Sequence, residues 1–220
     1  ARYAKSLAFA YLMTDDETFA RRGTELLLDM KFPPRGGELG EPHNEGEVVA
    51  QYAQAYDMLH AYLGASPAAL TKVRTILAEE AARLMKGIVV QELNLGFVTI
   101  KLRLHETPHI DNWHLRAYGG LGFAALALAD HAGVNEKTPQ DWSDRALDMT
   151  WRTLEYQIDA VNGGYAEGPF YSRYAADVYL PYMIALRRLV GVDLIDAPIV
   201  RAMHDWSVNI RLPNGRRPNI

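Results

Sequence analysis

Apolar residues recur at three- and four-residue steps in segment after segment, and Gly, Pro and capping residues separate the segments. A chain patterned this way is constrained to fold as a succession of amphipathic helices. The first helix is predicted over 3–13. Thr14-Asp15-Asp16-Glu17 then supplies a cap and acidic first-turn residues for a second, which runs to about Met30 with Leu26, Leu27 and Met30 on its apolar side. Two helices joined so tightly lie antiparallel. Pro33 through Asn44 is predicted as a long loop, followed by a helix over 46–63 with Val49, Tyr52, Tyr56, Leu59 and Leu63 in register. Gly64 ends that helix, and Ser66-Pro67 starts the next as N-cap and first helical residue, extending to about Met85.

Residues 87–102 break the pattern. Ile88-Val89-Val90 is β-branched, but Glu92 to Gly96 shows no clean alternation, so the stretch is predicted irregular and no strand is predicted anywhere. Helices follow over about 113–131, from Asp141 or Ser143 to 160, over 171–190 and over 197–209. The repeated element is helix, turn, helix, longer loop. The expected fold is all-α: one helical domain over 1–220, built as an array of antiparallel helical hairpins closed into a ring or left as an arc. A plain helical bundle is the competing architecture. The opening on Ala1-Arg2-Tyr3 and the close on Leu212 to Ile220 read as cuts within a larger protein.

Charge and cysteine content narrow the function classes. Lys and Arg total 23 against 27 Asp and Glu, a net charge of −4, with no basic cluster interleaved with aromatics. Nucleic acid and anionic membranes are therefore not expected partners. No long uninterrupted apolar run suggests a membrane span. With 0 Cys, disulfides and thiolate metal sites are excluded.

Three polar constellations stand out. Asn112-Trp113-His114-Leu115-Arg116-Ala117-Tyr118 runs into Gly119-Gly120-Leu121-Gly122. Glycines inside an apolar helix cost about 1 kcal/mol each relative to Ala, so their presence predicts close approach by another backbone. Asn112 is predicted as the N-cap. The polar residues ahead of the glycines form either a capped core helix with a buried His or a substrate platform. In the platform reading Asn112 and His114 donate to a sugar carboxylate while Trp113 packs nearby. The second constellation is Asn162-Gly163-Gly164-Tyr165-Ala166-Glu167-Gly168-Pro169-Phe170-Tyr171-Ser172-Arg173-Tyr174, a Gly/Pro-rich approach to a helix start. Tyr171 and Tyr174 share a face, with Arg173 beside them. A tyrosine acting as base needs a cationic neighbour; the competing reading is an aromatic core stripe continuing to Val178 and Tyr182. The third, Gly36 to Glu45 including Asn44, is either cleft lining or plain surface. His105-Glu106-Thr107-Pro108-His109 has His at i,i+4, but Pro108 opposes the continuous helix that a zinc site of that type requires, so no metal is expected.

The two glycine-bearing segments together, in this order and separation, resemble the heparinase II/III-like and alginate-lyase families of polysaccharide lyases. Tyr52 with Ala55-Tyr56-Asp57, and Leu212-Pro213-Asn214-Gly215 to Pro218-Asn219, look like further landmarks, so the resemblance spans essentially the whole chain. Asn162 stands where the family commonly has Asp, and Trp113 separates the Asn from the His.

The resemblance implies an incomplete α/α toroid followed by more helices and a β-sandwich domain, and a periplasmic or secreted location. The implied partner is an acidic polysaccharide or oligosaccharide cleaved by β-elimination without a cofactor. The family's catalytic Tyr matches Tyr174 or Tyr171, and its carboxylate-binding Asn and its His match Asn112 and His114. Arg116, Arg173, Trp113, Tyr118, Asn44 and Glu167 are the expected substrate contacts. Two alternatives stand beside this. One is a glycoside hydrolase using Glu167 with Asp111 or Glu45 as its carboxylate pair. The other is a non-catalytic glycan-binding or structural helical fragment.

Overall fold

A computed structural model describes residues 1–32, 42–94, 99–103, 111–212 and 214–216. The expected all-α architecture is present: eight helices are described, the first six paired in sequence order as hairpins and held by long-range helix–helix contacts. They are α1 (Arg2–Thr14), α2 (Glu17–Leu28), α3 (Pro42–Gly64), α4 (Pro67–Val89), α5 (Asn112–Ala127), α6 (Pro139–Gln157), α7 (Gly168–Leu189) and α8 (Pro198–Asn209). Asp16 caps α2 by accepting from the Thr18 amide at 2.8 Å, and Thr138 with Asp141 forms a reciprocal capping box at the start of α6.

The odd-numbered helices run the same way. Along α1 and α3, Phe9 lies with Met58 and the Tyr11 ring meets Tyr62 edge-on at 5.9 Å. Along α3 and α5, His43 meets Trp113 and Gly46 meets Ala117 and Gly120. Along α5 and α7, Asn112 meets Glu167, Arg116 meets Tyr174, and Gly122 meets Tyr182. In every pair the numbers rise together, which only parallel helices allow. α2 runs antiparallel to α3: Leu27 of α2 accepts from the Tyr52 hydroxyl of α3 at 3.1 Å, while Gly23, one turn earlier, faces Leu59. Among the described residues α1 and α7 share no extensive contact, so the four parallel helices form a row. Their amino ends gather on one side, which positions the candidate site.

The glycines explain how tightly the row packs. A Cβ on Gly120 would lie 2.1 Å from the Gly46 carbonyl oxygen, and one on Gly46 would lie 2.6 Å from the Ala117 Cα. The backbones of α3 and α5 therefore touch, as the glycine run predicts. The core on either side is built from Tyr52, Leu59, Tyr118, Leu121, Trp142 and Tyr182, all essentially inaccessible.

Several sequence expectations are corrected. Residues 42–44 are not loop; α3 begins at Pro42, a residue suited to a first helical turn because its missing N–H is not needed there. The 87–102 stretch is not simply irregular: α4 runs to Val89, and β1 (Val90–Asn94) pairs antiparallel with β2 (Thr99–Arg103), from Val90↔Arg103 to Asn94↔Thr99. Asn112 is not the N-cap of α5. Asp111 is, its carboxylate accepting from the His114 amide at 2.9 Å. The predicted 113–131 helix ends at Ala127, and α6 and α7 each start two to three residues earlier than expected, at Pro139 and Gly168. His105 and His109 lie outside the described residues, as do residues 33–41. No described helix is long and apolar enough to cross a membrane.

Candidate functional site

Asn112, at the first turn of α5, is 3% exposed. Its backbone N–H and its side-chain Nδ2 donate to the two oxygens of the Glu167 carboxylate, at 2.8 and 2.7 Å. A carboxylate only accepts, so the amide orientation is fixed: Nδ2 faces Glu167. Oδ1 faces the other way, buried and without a hydrogen-bond partner. Glu167 sits just ahead of Gly168, whose φ of +83° turns the chain into α7. The Gly-Pro sequence after Glu167 thus fixes the side chain that ties α7 to α5.

One residue before Asn112, the Asp111 carboxylate accepts from the Nδ1 of His114 at 2.8 Å as well as from the His114 backbone. Nδ1 therefore carries a proton in either charge state of the ring, and the imidazole is oriented by a carboxylate as in acid–base dyads. Beneath it lies Tyr118, ring centroids 6.3 Å apart. Tyr118 is 1% exposed, and burial, only partly opposed by Arg145, pushes its hydroxyl well above the ordinary tyrosine range. Tyr118, one of the expected substrate contacts, lies in the core and packs beneath His114.

Arg116 crosses from α5 to both neighbours. Its guanidinium donates to the Tyr174 carbonyl of α7 and pairs with the Glu47 carboxylate of α3. It also lies over the Tyr174 ring, 3.9 Å from the centroid. At 2% exposure it is a buried cation joining three helices. Trp113 is half exposed and stacks on His43 at 4.5 Å. Asn44 lies one residue further along α3, partly buried.

The site is thus assembled from the amino ends of α3, α5 and α7. It sets Asn112 against Glu167, Arg116 against Tyr174 and Glu47, and Trp113 against His43, with His114 held by Asp111 on another face of α5. Tyr171 and Arg173 stand apart on the outer side of α7, both exposed, with Tyr171 edge-on to Phe170 at 5.3 Å. Sequence reasoning did not anticipate Glu47. It is an ordinary-looking charge on a helix surface, and its partner Arg116 is 69 residues away. Among the described residues no group of three or more His, Asp or Glu is arranged to hold a metal ion. A described cavity of about 450 Å³ lies away from these helix ends, between α1 and α3, and is lined by Lys5, Phe9, Gln54 and Met58 among others.

The Glu167 tie makes a direct prediction. Charge-assisted hydrogen bonds of this kind contribute about 1.5–3 kcal/mol each. Glu167→Ala is expected to cost about 2–4 kcal/mol in urea unfolding, and Glu167→Gln, which keeps one acceptor, less than that. Equal stability of all three proteins would show that the tie contributes nothing.

No protein-family model matches the chain, and no curated protein matches it.

Proposed function

We propose that the chain is part of a polysaccharide lyase that cleaves a uronic-acid-containing polymer by β-elimination. The observation that carries this reading is the gathering of an amide, a carboxylate-oriented imidazole, a buried guanidinium and a tyrosine at one end of three parallel helices. In the finer reading the helical row is an arc of an α/α toroid. A β-sandwich domain follows it in the full-length protein, and the protein is periplasmic or secreted.

β-Elimination has to solve three problems. The C5 proton is scarcely acidic while the neighbouring carboxylate keeps its charge, so donors must first offset that charge. The second Nδ2 hydrogen of Asn112 and the His114 imidazole, which donates from Nε2 when protonated, are the donors assigned. A base must then take the C5 proton, and Tyr174 is assigned that role; a tyrosine base works best beside a cation, and Arg116 lies against its ring. The C5–H electron pair becomes the C4=C5 double bond, the C4–O4 bond breaks, and the leaving oxygen takes the proton from Tyr174.

The hydrolase alternative is less well supported. Glu167 is engaged by Asn112, Asp111 by His114, and the Glu45 carboxylate is buried 3.2 Å from Arg83. The glycan-binding or structural reading is favoured by one observation: Asn112, His114 and Arg116 are buried and engaged with side chains of their own chain. A β-elimination assay separates the two. The full-length protein, beside the 220-residue chain, is mixed with heparan sulfate, heparin, alginate, chondroitin and unsulfated glucuronan. The ultraviolet absorbance of the unsaturated product is then followed. Absorbance rising on one polymer supports the lyase; folded full-length protein silent on all of them leaves the binding reading in its place.

A further inference from the structure

The cavity between α1 and α3 is not used by this mechanism, yet it opens on the same helical stripe. Glu47, Gln51, Gln54 and Met58 follow one another at four-, three- and four-residue steps, which sets them on one face of α3. All four are partly buried, as residues lining a shallow groove are. Gln51 donates to Glu47 at 2.8 Å, and Glu47 in turn holds Arg116. Gln54 and Met58 then line the cavity with Lys5 and Phe9 of α1. Glu47 and Gln54 are about two turns apart, roughly 10 Å along the axis. The Lys5 amine is half-buried; burial pulls its proton affinity down, and the nearby Glu47 carboxylate partly restores it. Polar contacts therefore link Tyr174 through the buried Arg116 to Glu47, whose charge is felt at Lys5.

We propose that this cavity is a second saccharide position of the same groove, taking an anionic sugar unit with the Lys5 ammonium as counter-charge and the Phe9 ring as platform. At about 450 Å³ it has the size of a small-ligand site. Phe9 is 57% exposed and presents an aromatic face beside Met58, which suits the apolar face of a pyranose. Lys5 and Gln54 meet a carboxylate and hydroxyls. Asp57, exposed on the same lining, carries a carboxylate of its own, so the anionic group of the sugar is assigned to the Lys5 side. The proposal rests on the uronate reading above and adds to it that the substrate is an oligomer long enough to reach from α7 to α1.

Titration calorimetry on the 220-residue chain tests this, with disaccharides to hexasaccharides of mannuronate, guluronate and glucuronate as probes. The affinity is expected to rise as the probe lengthens. Lys5→Gln and Phe9→Ala are each expected to raise the Kd of the long probes roughly tenfold while leaving the shortest unchanged, and Lys5→Arg restores most of the loss. Phe9 and Lys5 lie outside the core, and thermal melting checks that the variants fold. Affinity independent of length, indifference to both substitutions, or no binding of any probe overturns the proposal. Its failure is distinguishable from failure of the elimination reading. Unsaturated product formed with length-independent affinity removes only the second position. Length-dependent, Lys5-sensitive binding without unsaturated product removes only the elimination.

Discussion

Gly120→Ala is expected to destabilise the chain by about 3 kcal/mol or more, lowering its melting temperature by about 6–12 °C at this size. The new Cβ would lie 2.1 Å from the Gly46 carbonyl oxygen and 2.6 Å from its carbonyl carbon and Cα. All three are backbone atoms of α3, so no side-chain rotation relieves the contact. The two helices have to separate. Separation also loosens the pairing of Glu47 with Arg116 and the stacking of His43 on Trp113, the contacts that bring α3 into the candidate site. Gly64→Ala is the control. Nothing lies within 4 Å of a Cβ there, and Ala at this helical position is expected to be neutral or to stabilise by up to about 1 kcal/mol. Urea unfolding of both variants beside the wild type reads the difference. A Gly120→Ala protein as stable as the wild type would mean that α3 and α5 do not meet there.

Tyr174→Phe is expected to lower turnover on the cleaved polymer by about 10²–10⁴-fold, with KM nearly unchanged and the fold intact. Tyr171→Phe is expected to stay close to the wild type. The sequence leaves the two tyrosines equivalent, three residues apart on one face. The fold separates them: Tyr174 is partly buried against Arg116, whereas Tyr171 is 42% exposed and faces Phe170. Only Tyr174 has a fixed cation beside it. Steady-state kinetics on both variants decide the assignment, and a fully active Tyr174→Phe would remove it.

The legibility of this fold in its sequence follows the range of the interactions. Helix positions are local, and the three- and four-residue periodicity locates all eight. Glycines 119, 120 and 122 announce a close backbone approach because nothing local compensates their cost. The identity of the neighbours, Gly46 of α3 and Tyr182 of α7, is non-local and was not readable. Caps shift by a residue or more because Asp111 and Asn112 are both good acceptors, and tertiary context decides. Here Glu167 claims Asn112 and leaves the cap to Asp111. The β-hairpin is not legible although Thr99-Ile100-Lys101-Leu102-Arg103 alternates in period two, because its partner strand, Val90 to Asn94, does not. Of the site, Asn112, His114, Arg116, Glu167 and Tyr174 were visible as unusual polar residues beside glycines. Glu47 and Lys5 were not, since a lone charge on a helix carries no local sign of its partner.

The most direct test of the account is the mass of the new ends formed from a defined uronate tetrasaccharide by the full-length protein. Elimination adds no water, so one product is expected to carry an unsaturated end, one water lighter than its saturated counterpart, and to be absent with Tyr174→Phe. Saturated products that have gained a water would mean hydrolysis. An uncleaved tetrasaccharide, together with no cleavage of the parent polymers, would contradict the lyase reading outright.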